Sequence, residues 1–178
     1  CDGNTIADCT ISGNNNYGVY LRGNSGQCDG NTIADCTING NTSYGVYLTG
    51  DSGQCNGNTI RENTISKNAE LGISLYTADG NRVEANHVWG TTGASSKGIW
   101  TASGTGNFIL KNTCVGQTTN YDIDPDDTYG PEVTSSGALS GVRPARRPSI
   151  MSASRSWQRC SRANRAGSAS SWPVLKAS

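Results

Sequence analysis

Apolar and polar residues alternate along residues 1–133 in short stretches of three to five residues. Alternation with a period of two predicts β-strands, and no stretch shows a sustained helical period. Gly, Asn, Asp and Ser fill the segments between these stretches, which is the composition of turns and of left-handed backbone positions. The sequence therefore predicts an all-β protein that is built from very short strands.

The strand pattern recurs along the chain. The motif Asn-x-[Ile/Val]-x-x-[Cys/Asn]-x-[Ile/Val/Cys] starts at Asn4, Asn31, Asn58, Asn81 and Asn107. A second motif, which reads GVYL, GVYL, GISL and GIWT, starts at Gly18, Gly45, Gly72 and Gly98, and the segment YDID at Tyr121 is a degraded fifth copy. Length differences fall between the motifs, as loops tolerate and strands do not. Successive copies of the first motif start 23 to 27 residues apart. A repeat of this length predicts a solenoid.

Each repeat is too small to bury its own apolar side chains, so its copies must stack to form a core. Stacking predicts three inward columns of side chains, joined by parallel strands about 4.8 Å apart. The columns are Ile6, Ile33, Ile60, Val83 and Ile109; Ile11, Ile38, Ile65, Val88 and Cys114; and Val19, Val46, Ile73, Ile99 and Ile123. A hydrophobic interior would thus exist only through contacts between repeats.

A fourth column lies at a bend and is predicted to face inward. Its members are Cys9, Cys36, Asn63, Asn86 and Asn112. Buried amides are costly unless they are hydrogen-bonded, and a column of Asn meets this need by bonding from rung to rung. In the first two rungs Cys takes the place of Asn as a small buried hydrophobe.

The combined pattern N-x-I-x-x-N-x-I followed by G-I-x-L resembles the right-handed parallel β-helix repeat. Pectate lyases, polygalacturonases, alginate epimerases and the NosD-like carbohydrate-binding and sugar-hydrolase group share that repeat. The resemblance covers residues 1–133 and implies a right-handed parallel β-helix of about five rungs. It also implies an exported protein, extracellular or periplasmic, that binds or processes a polysaccharide, with an acidic glycan favoured. The alternative is a structural or adhesive surface repeat protein without catalytic activity.

The charge is unevenly distributed, although the 178-residue chain has a formal net charge of zero. All 14 acidic residues lie in residues 1–140, whereas residues 141–178 hold eight Lys and Arg and no acid. Residues 134–178 are rich in Arg, Ser and Ala and lack both motifs, so we expect an unstructured tail. Translation out of frame is the second interpretation of this tail. A basic arm for nucleic acid is disfavoured, and we expect no nucleic-acid partner.

The first repeat has the sequence of an internal one. Residues 1–11 match residues 28–38 letter for letter, and the chain starts at Cys1 without Met. We interpret the chain as a fragment that further β-helix rungs precede. No run of 18 apolar residues is present, so no membrane span is predicted.

Seven cysteines raise the question of disulfides. Cys1, Cys28 and Cys55 share one phase of the repeat, and Cys9 and Cys36 share another. Stacking brings like-phase cysteines close together, but in-register parallel side chains seldom meet the required dihedral. We expect reduced thiols, with the pair Cys28–Cys55 as the favoured exception. With one His and no Cys-x-x-Cys pair, the sequence indicates no zinc site.

An outward row of aromatic residues is the candidate binding surface. Tyr20, Tyr47, Ser74 and Trp100 occupy equivalent positions in successive copies of the second motif. Sugar rings present apolar C–H faces that suit aromatic platforms, so we predict carbohydrate contact by Tyr20, Tyr47 and Trp100. The alternative is structural, because aromatic residues favour strands and pack on their neighbours across a sheet.

Two further rows carry carboxylates. Asp8, Asp35 and Glu62 share a phase in the bend after the first strand and are weak candidates for a Ca²⁺ site. No other cofactor is predicted. A second row, at a turn, consists of Asp2, Asp29, Asn56 and Asp79. For both rows the alternative is a solvated Asx turn that caps its own backbone.

The resemblance leaves the catalytic residues unassigned. It implies an acidic calcium cluster with an Arg base for lyases, an Asp trio near Gly-His-Gly for hydrolases, and an Asp-Pro-His segment for epimerases. Here the segment YDIDPDD contributes Asp122, Asp124, Asp126 and Asp127, and Asp126 stands where an epimerase would have His. We interpret this segment as a solvated closing loop. The single His, His87, is predicted to point outward in the row of Thr10, Thr37 and Thr64.

Overall fold

A computed structural model describes residues 1–130 of the chain, which form strands and turns without a helix. Sixteen short strands follow one another in these residues. They are β1 (Thr5–Ala7), β2 (Thr10–Ser12), β3 (Val19–Arg22), β4 (Thr32–Ala34), β5 (Thr37–Asn39), β6 (Tyr44–Thr49), β7 (Thr59–Arg61), β8 (Thr64–Ser66), β9 (Leu71–Tyr76), β10 (Arg82–Glu84), β11 (His87–Trp89), β12 (Lys97–Ala102), β13 (Phe108–Leu110), β14 (Thr113–Val115), β15 (Thr119–Asp122) and β16 (Thr128–Tyr129). The predicted tail, residues 134–178, lies outside the described residues.

The strands form three parallel sheets, and every third strand along the chain pairs with the next of its set. The first sheet has the order β1-β4-β7-β10-β13-β16, the second β14-β11-β8-β5-β2, and the third β15-β12-β9-β6-β3. Each turn of the chain thus places one strand in every sheet. This confirms the predicted all-β fold, a parallel β-solenoid of about five turns.

The first two predicted columns are confirmed by the strand registers. In the first sheet Ile33 pairs with Ile6 and Ile60, and in the second Ile38 pairs with Ile11 and Ile65. The core members of the inner rungs are fully buried, whereas Ile6 and Ile11, at the first edge, are only partly buried. Burial therefore does depend on a neighbouring rung on each side.

The prediction of the third column is wrong for its last member, Ile123. Ile99 pairs with Tyr121 and not with Ile123, because Lys97 and Trp100 align with Thr119 and Asp122. The Tyr121 hydroxyl donates a hydrogen bond to the Asn112 backbone oxygen at 2.5 Å. Ile123 packs against the core from outside the strand. The degraded motif contains two large residues, Tyr121 and Ile123, that could occupy the inward position. The backbone register places Tyr121 there.

The buried Asn ladder is confirmed. In each step, one Asn Oδ1 accepts hydrogen bonds from the backbone N–H and the side-chain amide of the preceding rung. The backbone N–H and the side-chain amide of Asn63 donate to Asn86 Oδ1 at 3.0 and 2.9 Å. The same two groups of Asn86 donate to Asn112 Oδ1, both at 2.9 Å. The Cys36 backbone N–H donates to Asn63 at 2.9 Å, so Cys36 occupies the ladder as predicted. Cys9 is exposed, which corrects its predicted burial, because it lies in the first described rung.

Two more ladders run along the solenoid and were not predicted. One consists of the residues that start the first motif, Asn4, Asn31, Asn58, Asn81 and Asn107, and it ends on Asp127. The other consists of Asn14, Asn41 and Asn68. These amides satisfy the backbone N–H groups at the bends between sheets, where strand pairing alone would leave them without partners.

The disulfide prediction is confirmed in one part, because Cys9, Cys36 and Cys114 are free thiols as expected, and it is wrong in the pair that it favoured. Cys1 and Cys28 form a disulfide with a Cα–Cα distance of 4.4 Å, which lies within the usual range for such bonds. Cys55, the favoured partner, is a buried free thiol that lies 3.5 Å from the Leu21 backbone oxygen. Burial raises the pKa of the Cys55 thiol to about 11, which keeps it protonated and unreactive at neutral pH.

Candidate functional site

The outer surface of the third sheet carries a cluster of aromatic rings, which we call the aromatic face. Its rings belong to Tyr17, Tyr20, Tyr44, Tyr47, Tyr76 and Trp100. The predicted row is confirmed in its register, since Tyr47 pairs with Tyr20 and Ser74, and Ser74 pairs with Trp100. The solenoid therefore places side chains from four successive rungs on one surface.

The aromatic face contains two stacked pairs of nearly parallel rings. Tyr20 and Tyr47 stack with ring centroids 5.3 Å apart and planes inclined by 12°. Tyr76 and Trp100 stack with centroids 5.9 Å apart and planes inclined by 10°. Tyr20 is 43% exposed and Tyr76 is 39% exposed, so each pair offers ring surface to solvent.

Tyr17 and Tyr44 support the first pair from the side. The ring of Tyr44 meets that of Tyr47 edge-on, with centroids 5.1 Å apart. The ring centroids of Tyr17 and Tyr20 are 4.9 Å apart. Burial raises the pKa of the Tyr20 and Tyr47 hydroxyls above the ordinary value. Both hydroxyls are thus neutral at physiological pH and can donate or accept hydrogen bonds.

Ser74 interrupts the row between the two ring pairs. Its side chain is completely buried, and its Oγ has no hydrogen-bond partner in the part of the chain that the structure describes. The small side chain leaves room that Tyr76, two residues further along β9, fills by stacking on Trp100.

A pocket of about 320 Å³ lies beside Trp100. It is lined by Glu70, Leu71, Gly93, Ala94, Ser95, Ser96, Lys97 and Trp100. Its outer wall is the loop of residues 90–96 between β11 and β12, which is longer than the corresponding connection of the other repeats. The length variation noted in the sequence therefore builds a concave feature at the end of the aromatic face.

The loop that forms the pocket wall is held by a hydrogen bond within the loop and by one to the next rung. The Ser96 N–H donates to the Gly93 oxygen at 3.0 Å, and the Thr118 N–H donates to Ser96 Oγ at 3.1 Å. Gly93 lies so close to the preceding rung that an added Cβ would be 2.4 Å from the Ala69 oxygen. These backbone contacts fix the loop that borders the pocket.

A model of the family described as "Right handed beta helix region" matches residues 1–140. The chain belongs to the right-handed β-helix family. Membership gives the handedness of the coil, and it agrees with the parallel registers of all three sheets. No curated protein and no solved structure matches the chain. Residues 1–130 of this β-helix contain no helix with the length and apolarity needed to cross a membrane.

The row proposed for Ca²⁺ lies at the bends of the β-helix. Asp8, Asp35 and Glu62 have positive φ angles of 53°, 54° and 58°, so their backbone forms the left-handed corner between two sheets. Arg61 makes ion pairs with Asp35, at 3.5 Å, and with Glu62. Within residues 1–130, no group of three or more His, Cys, Asp or Glu could hold a metal ion. The Ca²⁺ site stays a prediction without structural support.

The second carboxylate row has a structural role. Each side-chain oxygen accepts a hydrogen bond from a backbone N–H one rung further on, and not from its own turn. The backbone N–H of Asp29 donates to Asp2 Oδ1 at 3.0 Å, that of Asn56 to Asp29 Oδ1 at 2.6 Å, and that of Asp79 to Asn56 Oδ1 at 3.0 Å. This corrects the interpretation as self-capping Asx turns, because the stacked rungs bring the neighbouring N–H closer.

The four aspartates of the YDIDPDD segment serve different contacts. Asp122 forms an ion pair with Lys97, and Asp124 accepts hydrogen bonds from the backbone of Ser103 and Asp126. Asp127 is buried and terminates an Asn ladder, so the interpretation of a wholly solvated loop is wrong for this residue. His87 is exposed and pairs with Thr64 and Thr113, as predicted. These contacts are structural, and no residue of the segment is assigned a catalytic role.

The sequence did not reveal Tyr17, Tyr44 and Tyr76 as members of the aromatic face. Tyr44 lies two residues before the inward Val46, so simple alternation would also place it inside. Gly45 changes this, because an added Cβ there would lie 2.7 Å from the Ile65 side chain. Gly45 and Val46 thus both face inward, and the alternation of β6 is interrupted after Tyr44. The recurring Tyr before the Gly of the motif was the available signal.

Proposed function

We propose that the aromatic face of this β-helix binds a polysaccharide. The observation that supports this most strongly is the two stacked ring pairs, Tyr20–Tyr47 and Tyr76–Trp100, on one sheet surface, with one well-exposed Tyr in each pair. The apolar C–H faces of sugar rings pack on such rings, while sugar hydroxyls bond the polar tips of Tyr and Trp.

The length of the aromatic face favours a polymer over a single sugar. Tyr20 and Trp100 lie three rungs apart along the registers, which corresponds to about 14 Å at the usual strand spacing. An extended glycan could contact both ring pairs at once, and two contacts on one rigid surface raise the affinity above that of either.

We do not extend the proposal to an acidic glycan. Both cations on the aromatic face are neutralised, Arg22 by Asp51 and Lys97 by Asp122. An anionic polymer would have to displace these carboxylates. The acidic preference implied by the family resemblance therefore has no counterpart in the charges of this surface.

We also propose an extracellular or periplasmic location. The Cys1–Cys28 disulfide supports it, because disulfides persist in oxidising compartments, whereas cytosolic thiols are kept reduced. In a reducing cytosol, Cys1 and Cys28 would remain as two reduced thiols.

A structural or adhesive role is the second candidate function. It is favoured by the contacts of the rings with each other, because Tyr17, Tyr44 and Tyr47 form a packed cluster that would stabilise the sheet without any ligand. Under this role the aromatic face would strengthen the solenoid and bind no glycan.

We expect Tyr20→Ala and Trp100→Ala each to weaken polysaccharide binding about tenfold, since each removes one member of a stacked ring pair that contacts the glycan. Affinity electrophoresis against neutral, acidic and amino-containing polysaccharides measures this change. Phe108→Ala is the matched control, because Phe108 is 45% exposed and lies on a different sheet. Binding that is unchanged in both variants, or no binding by the wild type, would instead support the structural role.

A further inference from the structure

The pocket beside Trp100 continues the aromatic face into a concave site. Leu71 and Trp100 supply its apolar wall, and Trp100 also stacks on Tyr76. A volume of about 320 Å³ lies at the lower end of the range for small-molecule pockets. The pocket thus suits one ring-sized group, such as a single sugar residue of a longer chain.

Backbone contacts hold Glu70 at the edge of this pocket. The Glu70 N–H donates to the Ser43 oxygen at 3.0 Å, and the Lys97 N–H donates to the Glu70 oxygen at 3.1 Å. Residue 70 is therefore fixed between the rungs on either side. Its carboxylate forms no ion pair and accepts no hydrogen bond within residues 1–130.

The charges around the pocket do not cancel. Lys97 lies 2.7 Å from Asp122 and 5.0 Å from the centre of the Trp100 ring, so its charge is already balanced by one carboxylate. Glu70 adds a second, unbalanced negative charge at the pocket. A cation near this carboxylate is stabilised, and an anion is repelled.

We propose that this pocket binds the protonated amino group of an amino sugar, with Glu70 as its counter-ion. The sugar ring packs on Trp100 while the amino group donates hydrogen bonds to the Glu70 carboxylate. The ligand class is a glycan with free amino groups, and its N-acetylated form lacks the charge that Glu70 recognises. This inference rests on the proposed binding of polysaccharide by the aromatic face.

Calorimetric titration with a glucosamine tetramer and with its N-acetylated counterpart tests the proposal. At a pH that keeps the amines protonated, we expect the wild type to bind the glucosamine tetramer about fivefold more tightly. Glu70→Gln should abolish this preference and leave binding of the acetylated tetramer unchanged. The substitution is isosteric and removes no ion pair or hydrogen bond within residues 1–130, so the melting temperature should not move.

The matched control is Glu62→Gln, which removes a carboxylate at a bend outside the pocket and should keep the preference. Equal affinity of the wild type for both tetramers, or a preference that survives in Glu70→Gln, would overturn the role of Glu70 while the aromatic face remains a glycan-binding surface. Absence of binding to either tetramer and to every polysaccharide tested would overturn both.

Discussion

The Asn86→Ala substitution is expected to lower the free energy of unfolding by about 3–5 kcal/mol. Asn86 Oδ1 accepts two hydrogen bonds from Asn63, and its side-chain amide donates to the Ile60 oxygen at 2.9 Å and to Asn112 Oδ1 at 2.9 Å. All these groups are buried, so Ala leaves several of them without partners. Each such group costs about 1–3 kcal/mol.

Urea unfolding followed by circular dichroism measures the loss, with Asn15→Ala as the control. Asn15 is exposed and belongs to no ladder, so its substitution should change the unfolding free energy by less than about 0.5 kcal/mol. A loss below about 1 kcal/mol for Asn86→Ala would show that this amide is solvated, which is incompatible with a buried ladder.

Ile65→Ala is the second substitution with a large expected effect, a loss of about 2–5 kcal/mol. Ile65 is fully buried and pairs with Ile38 on one side and Val88 on the other. Truncation therefore opens a cavity that two neighbouring rungs border. The rungs are held apart by backbone hydrogen bonds at a fixed strand spacing, so they cannot collapse into the space.

Thr64→Ala is the matched control for this second substitution. Thr64 lies next to Ile65 on β8, but its side chain is exposed, and we expect its replacement to cost less than about 1 kcal/mol. Similar losses for the two variants would mean that adjacent residues of β8 do not alternate between core and solvent.

The periodic part of the fold could be predicted from the sequence because each rung repeats one pattern. Ile33, Ile60 and Val83 share a phase, and equal phase in a solenoid means direct stacking. Prediction failed where the pattern degrades. In the last rung Tyr121 and Ile123 both fit an inward position, and only the backbone pairing of β12 with β15 distinguishes them.

The Asn residues that start the first motif were interpreted only as markers of the repeat. Asn58 and Asn81 are buried at 1% and 0% exposure, although Asn is typical of turns as well as of ladders. Composition cannot separate these roles, because the difference depends on whether a second amide lies one rung away. The same applies to Cys1, Cys28 and Cys55, whose equal phase allows two different disulfides.

The candidate site was predicted in part. The row through Tyr20, Tyr47 and Trp100 follows from phase, and the registers confirm it. The pocket does not follow from phase, since it forms where an irregular loop folds back over β9 and β12. The role proposed for Glu70 depends on this loop, and a loop conformation is set by contacts such as Ser96 with Thr118 that no repeat encodes.

The measurement that tests the stacking of rungs most directly is a set of nuclear Overhauser effects between backbone protons of isotopically labelled protein. The registers predict close contacts between Ile33 and Ile60 and between Ile60 and Val83, with parallel strands and no shift. If these pairs give no contact, or if Ile60 instead contacts a neighbour shifted by one residue, the core columns, the Asn ladders and the aromatic face would all be contradicted.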